Sequence, residues 1–172
     1  TRNVVAGASA ADRAVAMLLD KLAGRPFATE VPRPAFPPVP PPRLVKTLEG
    51  ATIALVTDGG LVPRGNPDAI EALNATRYGA YSIEGKSRLD AAQYDNPHRG
   101  YDTTWVKQDP HRLVPVDVAR ELEQAGAIGK LHETVYSTVG VATTLAQSAR
   151  MGREIAEKLK EAGVDAVILT ST

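Results

Sequence analysis

The sequence predicts an α/β domain over residues 49–172, built as a three-layer sandwich with helices on both faces of a mainly parallel sheet. Three observations lead to this class. Apolar runs at 51–57, 131–139 and 164–170 have the length and composition of strands. The segments between them include two with apolar residues at helical spacing. The alternation of strands with helices is typical of parallel sheets with right-handed crossovers.

The residues before this domain form a separate segment. Residues 9–22 are predicted to be a helix, because Ser9 is a suitable N-cap, apolar residues repeat at helical spacing and Gly24 is a suitable stop. We interpret residues 1–30 as the terminal helix of a preceding segment. Seven of the thirteen prolines lie in residues 31–48, which predicts a stiff linker along a domain surface. An SH3 or WW ligand is the alternative interpretation of these prolines.

The domain opens with a strand and a tight turn. The strand at 51–57 runs into an Asp-Gly-Gly sequence at 58–60, where glycine allows positive φ. An Asn-Pro-Asp sequence at 66–68 is a helix-start signal and predicts a short helix at 69–73. Residues 78–106 have no clear period but contain several aromatic residues, which predicts a long ordered loop with one or two short strands.

The second half of the domain alternates between helix and strand. A helix is predicted at 115–125 and a β-branched, aromatic strand at 131–139. A long helix at 143–162 follows, capped by one of two adjacent threonines and closed by glycine. The apolar residues at 164–170 predict a last buried strand. This order predicts a Rossmann-like sheet.

Composition and charge disfavour several classes of function. Twenty basic and twenty acidic residues cancel, so the sequence has no electrostatic signature for nucleic acid or an anionic membrane. There is no cysteine, and the three histidines follow no metal-ligand spacing. No apolar run approaches the ~20 residues that a membrane span needs. The chain begins without Met or a signal peptide, and we expect a cytoplasmic fragment or processed product.

All three predicted strands end in small or hydroxylated residues. These ends are Thr57-Asp58-Gly59-Gly60, Ser137-Thr138-Val139-Gly140 and Leu169-Thr170-Ser171-Thr172. Small ligands bind beyond the carboxyl ends of parallel strands in open sheets. Backbone N–H groups and hydroxyls at these ends would line such a pocket, although turns have similar compositions. The G-x-G-x-x-G spacing and the phosphate-loop pattern are absent, which argues against a nucleotide.

Seven segments of the sequence carry a resemblance to a known family. They are TDGGLVPRGNPD at 57–68, ATRYG at 75–79, HRGYDTT at 98–104, VPVD at 114–117, IGKLH at 128–132, YSTVG at 136–140 and GVDAVILTST at 163–172. In order and spacing they resemble the C-terminal half of selenoprotein B of glycine/sarcosine/betaine reductase, from about Ser9 to Thr172. The last segment is the most specific, because in that family this strand leads into selenocysteine and a Gly-x-Cys-x-x-Cys sequence.

The resemblance implies a chemistry for the full protein. Selenocysteine is expected directly after Thr172, where a selenolate would cleave a substrate C–N bond reductively and pass a carboxymethyl group to selenoprotein A. No cofactor is expected in this chain, but the family uses a pyruvoyl group on a partner subunit for glycine and sarcosine. We expect a domain truncated at its C-terminus. Because selenocysteine is encoded by UGA, a UGA read as a stop would give this end, and a cloning boundary and processing are the alternatives. The chain as given lacks a soft nucleophile and is expected to be inactive.

The resemblance also suggests candidate site residues. His98 and Asp102 would handle a proton, or they form a hydrogen bond that only stabilises their loop. Arg77 would bind a carboxylate bidentately, or it is an ordinary surface arginine. No catalytic residue or metal ligand is expected within the chain. The candidates for substrate binding are Gly59, Gly60, Arg77, Ser137, Thr138, Gly140, Thr170 and Thr172.

Partners and alternatives follow from the same resemblance. The expected partners are a small amino-acid or betaine substrate, the pyruvoyl-bearing subunit and selenoprotein A, and a homo-oligomer is compatible with the sequence. Residues 141–143, Val-Ala-Thr, replace a region where the family commonly has a second glycine, so the substrate stays open. A D-proline reductase-like subunit and a non-catalytic α/β module that binds a small carboxylate are the alternative functions. The codon after Thr172 would separate a reductase from a binding module.

Overall fold

The computed structural model describes residues 6–30, 38–42 and 47–172, in two units that comprise residues 1–42 and 43–172. The first unit contains helix α1 (Ala10–Leu22), which confirms the predicted N-terminal helix. The Ser9 hydroxyl caps it by accepting a hydrogen bond from the Asp12 N–H at 3.1 Å. Residues 38–42 are exposed and irregular, and the rest of the predicted linker at 31–37 and 43–46 lies outside the described residues.

The second unit contains seven strands and three α-helices among its described residues. The strands are β1 (Thr52–Thr57), β2 (Val62–Pro63), β3 (Gly79–Ser82), β4 (Tyr94–Asp95), β5 (Lys130–Leu131), β6 (Thr134–Ser137) and β7 (Ala166–Thr170). The helices are α2 (Thr104–Gln108), α3 (Val116–Gln124) and α4 (Leu145–Glu161). Two short 3₁₀ turns, Ala91–Gln93 and Pro110–Arg112, flank α2. In the described part of the chain, no helix has the length and apolarity to cross a membrane.

Strand β1 is the centre of the main sheet. It pairs in parallel with β7 on one side, from Ile53↔Ala166 to Thr57↔Thr170. On its other side it pairs in parallel with β5 and then β6, and β3 adds an antiparallel strand beyond β6. The sheet is therefore mixed, with parallel pairing around β1, and "Rossmann-like" describes it only loosely.

Helices cover both faces of this sheet. On one face, α3 packs through Val116 and Ala119 into a core with Leu55 and Val135. On the other face, α4 packs through Ile155 and Leu159 against Ala54 and Tyr136. Alternate side chains of a strand point to opposite faces, so Ala54 and Leu55 belong to different cores. The predicted three-layer α/β class is confirmed.

The predicted helix at 69–73 is wrong. Asn66 closes a local turn instead, since its amide donates to the Ile70 carbonyl and accepts from the Ile70 N–H, both at 2.9 Å. Ala69 has φ of 49°, in the left-handed region, which ends any right-handed helix. The long loop at 78–106 is ordered and carries short strands, as predicted, but α2 begins near its end.

Two of the strand predictions need correction. The predicted strand at 131–139 is divided into β5 and β6 at His132 and Glu133. The predicted strand at 164–170 forms β7, but it is not buried. Val167, Ile168 and Leu169 are 42%, 46% and 75% exposed, because β7 pairs with β1 alone among the described strands.

Candidate functional site

The segments that follow β1, β6 and β7 meet at one edge of the sheet. The Asp58 N–H donates to the Thr170 carbonyl at 3.3 Å, and the Thr138 N–H donates to the Thr57 carbonyl at 3.0 Å. The Gly140 N–H donates to the Asp58 carbonyl at 2.8 Å. The backbone pairing of the three strands therefore continues past their ends, and the residues after them lie close together.

A cleft of about 380 Å³ lies between this edge and α4. We call it the α4 cleft. Its sheet side includes Val56, Asp58, Thr138, Gly140, Leu169 and Thr170, and its helix side includes Ser148, Met151, Gly152 and Ile155. The lining combines apolar side chains with hydroxyl groups and one carboxylate. A cavity of this size is at the small end of ligand pockets, which suits a small molecule.

Asp58 supplies the carboxylate of the α4 cleft. Its Oδ1 is buried and has no hydrogen-bond partner among the described residues. A Cβ at Gly140 would lie 2.5 Å from Asp58 Oδ2, so glycine at this position leaves the carboxylate its space. Asp58 is not among the residues predicted for the site, because the sequence at 58–60 has the pattern of a glycine turn. The available signal was an acidic side chain directly after a buried strand.

The Gly59–Gly60 turn is held from the other side by the long loop. Asn96 donates its side-chain amide to the Gly59 carbonyl at 2.8 Å, and the Tyr101 hydroxyl donates to the same carbonyl at 3.0 Å. Gly60 has φ of +81°, and a Cβ there would lie 3.0 Å from His98 Cβ. The predicted tight turn with positive φ is therefore confirmed, and close packing of the loop adds a second requirement for glycine.

His98 is buried in this loop. Its Nδ1 accepts from the Gly100 N–H at 2.9 Å, which assigns the proton of the neutral ring to Nε2. Burial lowers the pKa of His98, and the negative charge of Asp58 offsets part of this effect. His98 is consequently a neutral donor beside the strand ends at pH 7.

Asp102 has a different role in the same loop. Its carboxylate accepts from the Thr104 N–H at 3.0 Å, at the start of α2, and hydrogen bonds from Thr104 lower its pKa. It is exposed to solvent. The acidic group that acts electrostatically on His98 is Asp58, not Asp102.

The other candidates divide between the two faces of the sheet. Thr138 and Thr170 line the α4 cleft, and the Thr138 hydroxyl donates to the Arg77 carbonyl at 2.8 Å. Ser137 is buried on the α3 face, two residues after Val135, and its Oγ has no hydrogen-bond partner in the described chain. The structure therefore does not bring Ser137 and Thr138 into one pocket.

Arg77 and Thr172 lie at the margins of the site. The Arg77 guanidinium is exposed and forms an ion pair with Glu71 at 3.4 Å, away from the residues that line the α4 cleft. The Thr172 methyl lies 3.0 Å from where a Cβ at Gly59 would be, so the chain after β7 passes next to the Gly59–Gly60 turn. Within 6–30, 38–42 and 47–172, no group of three potential metal ligands occurs.

Comparison with known proteins identifies similar sequences over the whole chain. A family model described as glycine/sarcosine/betaine reductase selenoprotein B matches residues 1–172. The glycine reductase complex component B subunit gamma of Carboxydothermus hydrogenoformans is 52% identical over 171 residues, 99% of this chain and 39% of that protein. The betaine reductase complex component B subunit beta of Peptoclostridium acidaminophilum is 49% identical over 166 residues, 96% of this chain and 38% of that protein.

A more distant relative belongs to another reductase. The D-proline reductase subunit gamma of Acetoanaerobium sticklandii is 33% identical over 140 residues, 78% of this chain and 55% of that protein. The chain spans about two fifths of the length of the glycine and betaine reductase relatives it matches. No solved structure matches it.

Proposed function

The chain belongs to the glycine/sarcosine/betaine reductase selenoprotein B family, and from that premise we propose that it is the substrate-binding α/β domain of a cytoplasmic reductase subunit. Its relatives are named as components of multi-subunit reductase complexes. The proposed reaction is reductive cleavage of the C–N bond of glycine, sarcosine or betaine. The main support for this proposal is that three strand ends converge on the α4 cleft. The volume of the cleft, about 380 Å³, suits a small zwitterion.

We also propose that selenocysteine follows Thr172 in the full protein. It would supply a nucleophile that is ionised at neutral pH. The support from this chain is local: Thr172 lies against Gly59, at the edge where the strand ends meet. Gly59 lacks a Cβ, which would lie 3.0 Å from the Thr172 methyl, so the turn leaves the chain after β7 room to pass.

The residues of the α4 cleft would bind and orient the substrate. Ser148 and Thr170 carry hydroxyls that suit a carboxylate, whereas the Thr138 hydroxyl already donates its one proton to the Arg77 carbonyl. Met151 and Ile155 form an apolar wall that would exclude water from the reacting C–N bond. A partner subunit would supply the pyruvoyl group for glycine and sarcosine, and selenoprotein A would accept the carboxymethyl group.

Gly152 allows a direct test of the α4 cleft. It lies inside α4 on the lining of the cleft, and a Cβ there meets no atom within 4 Å. Gly152→Leu should therefore fill the cleft without displacing the backbone. Replacing glycine inside a helix also stabilises the helix by roughly 0.5–1 kcal/mol. A loss of activity in this variant could not then be attributed to unfolding.

The experiment measures amine release from glycine, sarcosine and betaine, and ring opening of D-proline, by the full-length selenoprotein with its partner subunits and a dithiol. We expect Gly152→Leu to lower kcat/KM by about tenfold or more, while the matched Gly152→Ala stays within about twofold, a difference of roughly 1.4 kcal/mol in transition-state binding. Unchanged turnover in Gly152→Leu would exclude the α4 cleft as the substrate site. The absence of amine release by the wild type from every substrate would overturn the proposed reaction.

A further inference from the structure

We propose that Asp58 is the cation subsite of the α4 cleft and receives the amino or methylated ammonium group of the substrate. This inference rests on the proposed function, because it assigns one end of the substrate to one residue of the same cleft. The ligand class is a primary, secondary or quaternary ammonium borne on the carbon next to a carboxylate.

The first support is the unpaired charge. Asp58 Oδ1 is buried, yet no side-chain hydrogen bond or ion pair reaches it from the described residues. A buried carboxylate oxygen without a partner is unfavourable, because it has lost its water without gaining a donor. A cation from outside the chain would restore the missing interaction.

The second support is the way Gly140 accommodates the carboxylate. Gly140 is not among the glycines with positive φ, so its backbone conformation does not require glycine. The requirement is steric, because a Cβ would lie 2.5 Å from Asp58 Oδ2 and 2.9 Å from Asp58 Cγ. The glycine at the end of β6 thus holds space for a charged group on the neighbouring strand.

The third support is the character of the α4 cleft. Asp58 is the one ionisable residue among the described residues that line it. The others are apolar residues such as Met151 and Leu169, and hydroxylated residues such as Thr138. A single negative charge in surroundings of low polarity attracts a cation strongly, and apolar neighbours can pack against N-methyl groups. The cleft therefore selects for a cation but can accept different degrees of methylation.

His98 does not neutralise this carboxylate. Burial lowers its pKa, so the ring is uncharged at pH 7, and its Nδ1 is already engaged by the Gly100 N–H. His98 therefore supplies no positive charge to pair with the Asp58 carboxylate.

The test compares ligands with and without a cation in the full-length selenoprotein. Asp58→Asn keeps the shape of the side chain and removes the charge. Glu157→Gln, at an exposed position of α4, is the control for the same change in net charge. Binding of betaine and of acetate is measured by calorimetry, and KM for glycine is measured with the partner subunits present.

We expect Asp58→Asn to raise the Kd for betaine and the KM for glycine by about tenfold or more, as for loss of a close charge partner. Its affinity for acetate should stay equal or improve, because a repulsive charge has been removed. Glu157→Gln should behave as the wild type. Unchanged betaine binding in Asp58→Asn, or an equal loss for acetate, would overturn the assignment.

A measurement on the wild type covers the case in which Asp58→Asn does not fold. Tetramethylammonium chloride should inhibit glycine turnover competitively, whereas sodium chloride at equal ionic strength should not. No competitive inhibition would overturn the inference. If the wild type releases amine but Asp58→Asn keeps its KM, only the cation subsite fails. If the wild type releases no amine, the proposed function fails first.

Discussion

Strands β1 and β7 lie side by side in register over five residues, but they differ in burial. Leu55 of β1 is 1% exposed, whereas its register partner Ile168 of β7 is 46% exposed. Both sequences are equally strand-like. β1 has strands on both sides and helices over both faces, while β7 has one neighbouring strand in the described chain. Apolar composition therefore indicates a strand, and the number of neighbours decides whether it is buried.

The largest expected effect comes from truncating a buried side chain of β1. Leu55→Ala should lower the free energy of unfolding by about 3 kcal/mol, since it removes apolar contacts and leaves a cavity. Urea unfolding followed by circular dichroism measures the change, with an unchanged denaturant slope as evidence that the fold persists. A loss below about 1 kcal/mol would contradict the packing described for β1.

A smaller effect is expected where the loop holds the end of β1. Asn96→Ala removes a donor to the Gly59 carbonyl and an acceptor for the His98 N–H, both buried. It should cost about 2 kcal/mol, within the range for unsatisfied buried polar groups. Gln124→Ala, at an exposed position of α3, is the control and should stay within about 0.5 kcal/mol. Equal effects in the two variants would mean that the loop does not fix this turn.

The pH dependence of stability tests the same loop. Burial lowers the pKa of His98 and of His132 below 6.5, so the unfolded chain binds more protons than the folded chain. Stability from these groups is present above pH 6.5 and is lost as the pH falls through their lowered values. In His98→Asn, the Asn Oδ1 can accept from the Gly100 N–H, so the acid-induced fall in Tm should be smaller.

His132→Asn is the second variant to compare with the wild type. The double variant should make Tm depend on pH still less. Thermal unfolding of the wild type and the three variants between about pH 7.5 and pH 5 covers the relevant window. Parallel profiles for the wild type and His98→Asn would show that His98 is not buried in its neutral form.

The smallest effect is expected in the exposed strand. Leu169→Ala in this 172-residue chain should change the free energy of unfolding by no more than about 0.5 kcal/mol, because the side chain is already 75% exposed. The free energy of unfolding should also be measured for the same substitution in a full-length relative, to compare β7 with the buried strand β1. A cost above about 1.5 kcal/mol there would show that other parts of the longer protein cover β7.

The site was only partly visible in the sequence. The strand-end segments were found because small and hydroxylated residues follow apolar runs, which is a local signal. The pairing of His98 with Asp102 was suggested by their separation along the chain, but the Asp102 carboxylate instead accepts a hydrogen bond from the Thr104 N–H. Asp58 was missed because its importance depends on the absence of a partner, which a one-dimensional pattern does not reveal.

The sequence by itself determined the positions of β1, α1, α3 and α4, because caps, stops and periodicity act within a few residues of each other. Only the tertiary structure decided that β7 is exposed, that Ser137 and Thr138 face opposite sides, and that Gly140 makes room for Asp58. These features depend on contacts between segments far apart in the chain. A residue's burial and its unpaired charge are properties of its neighbours in space, and those neighbours are set by how the strands are ordered.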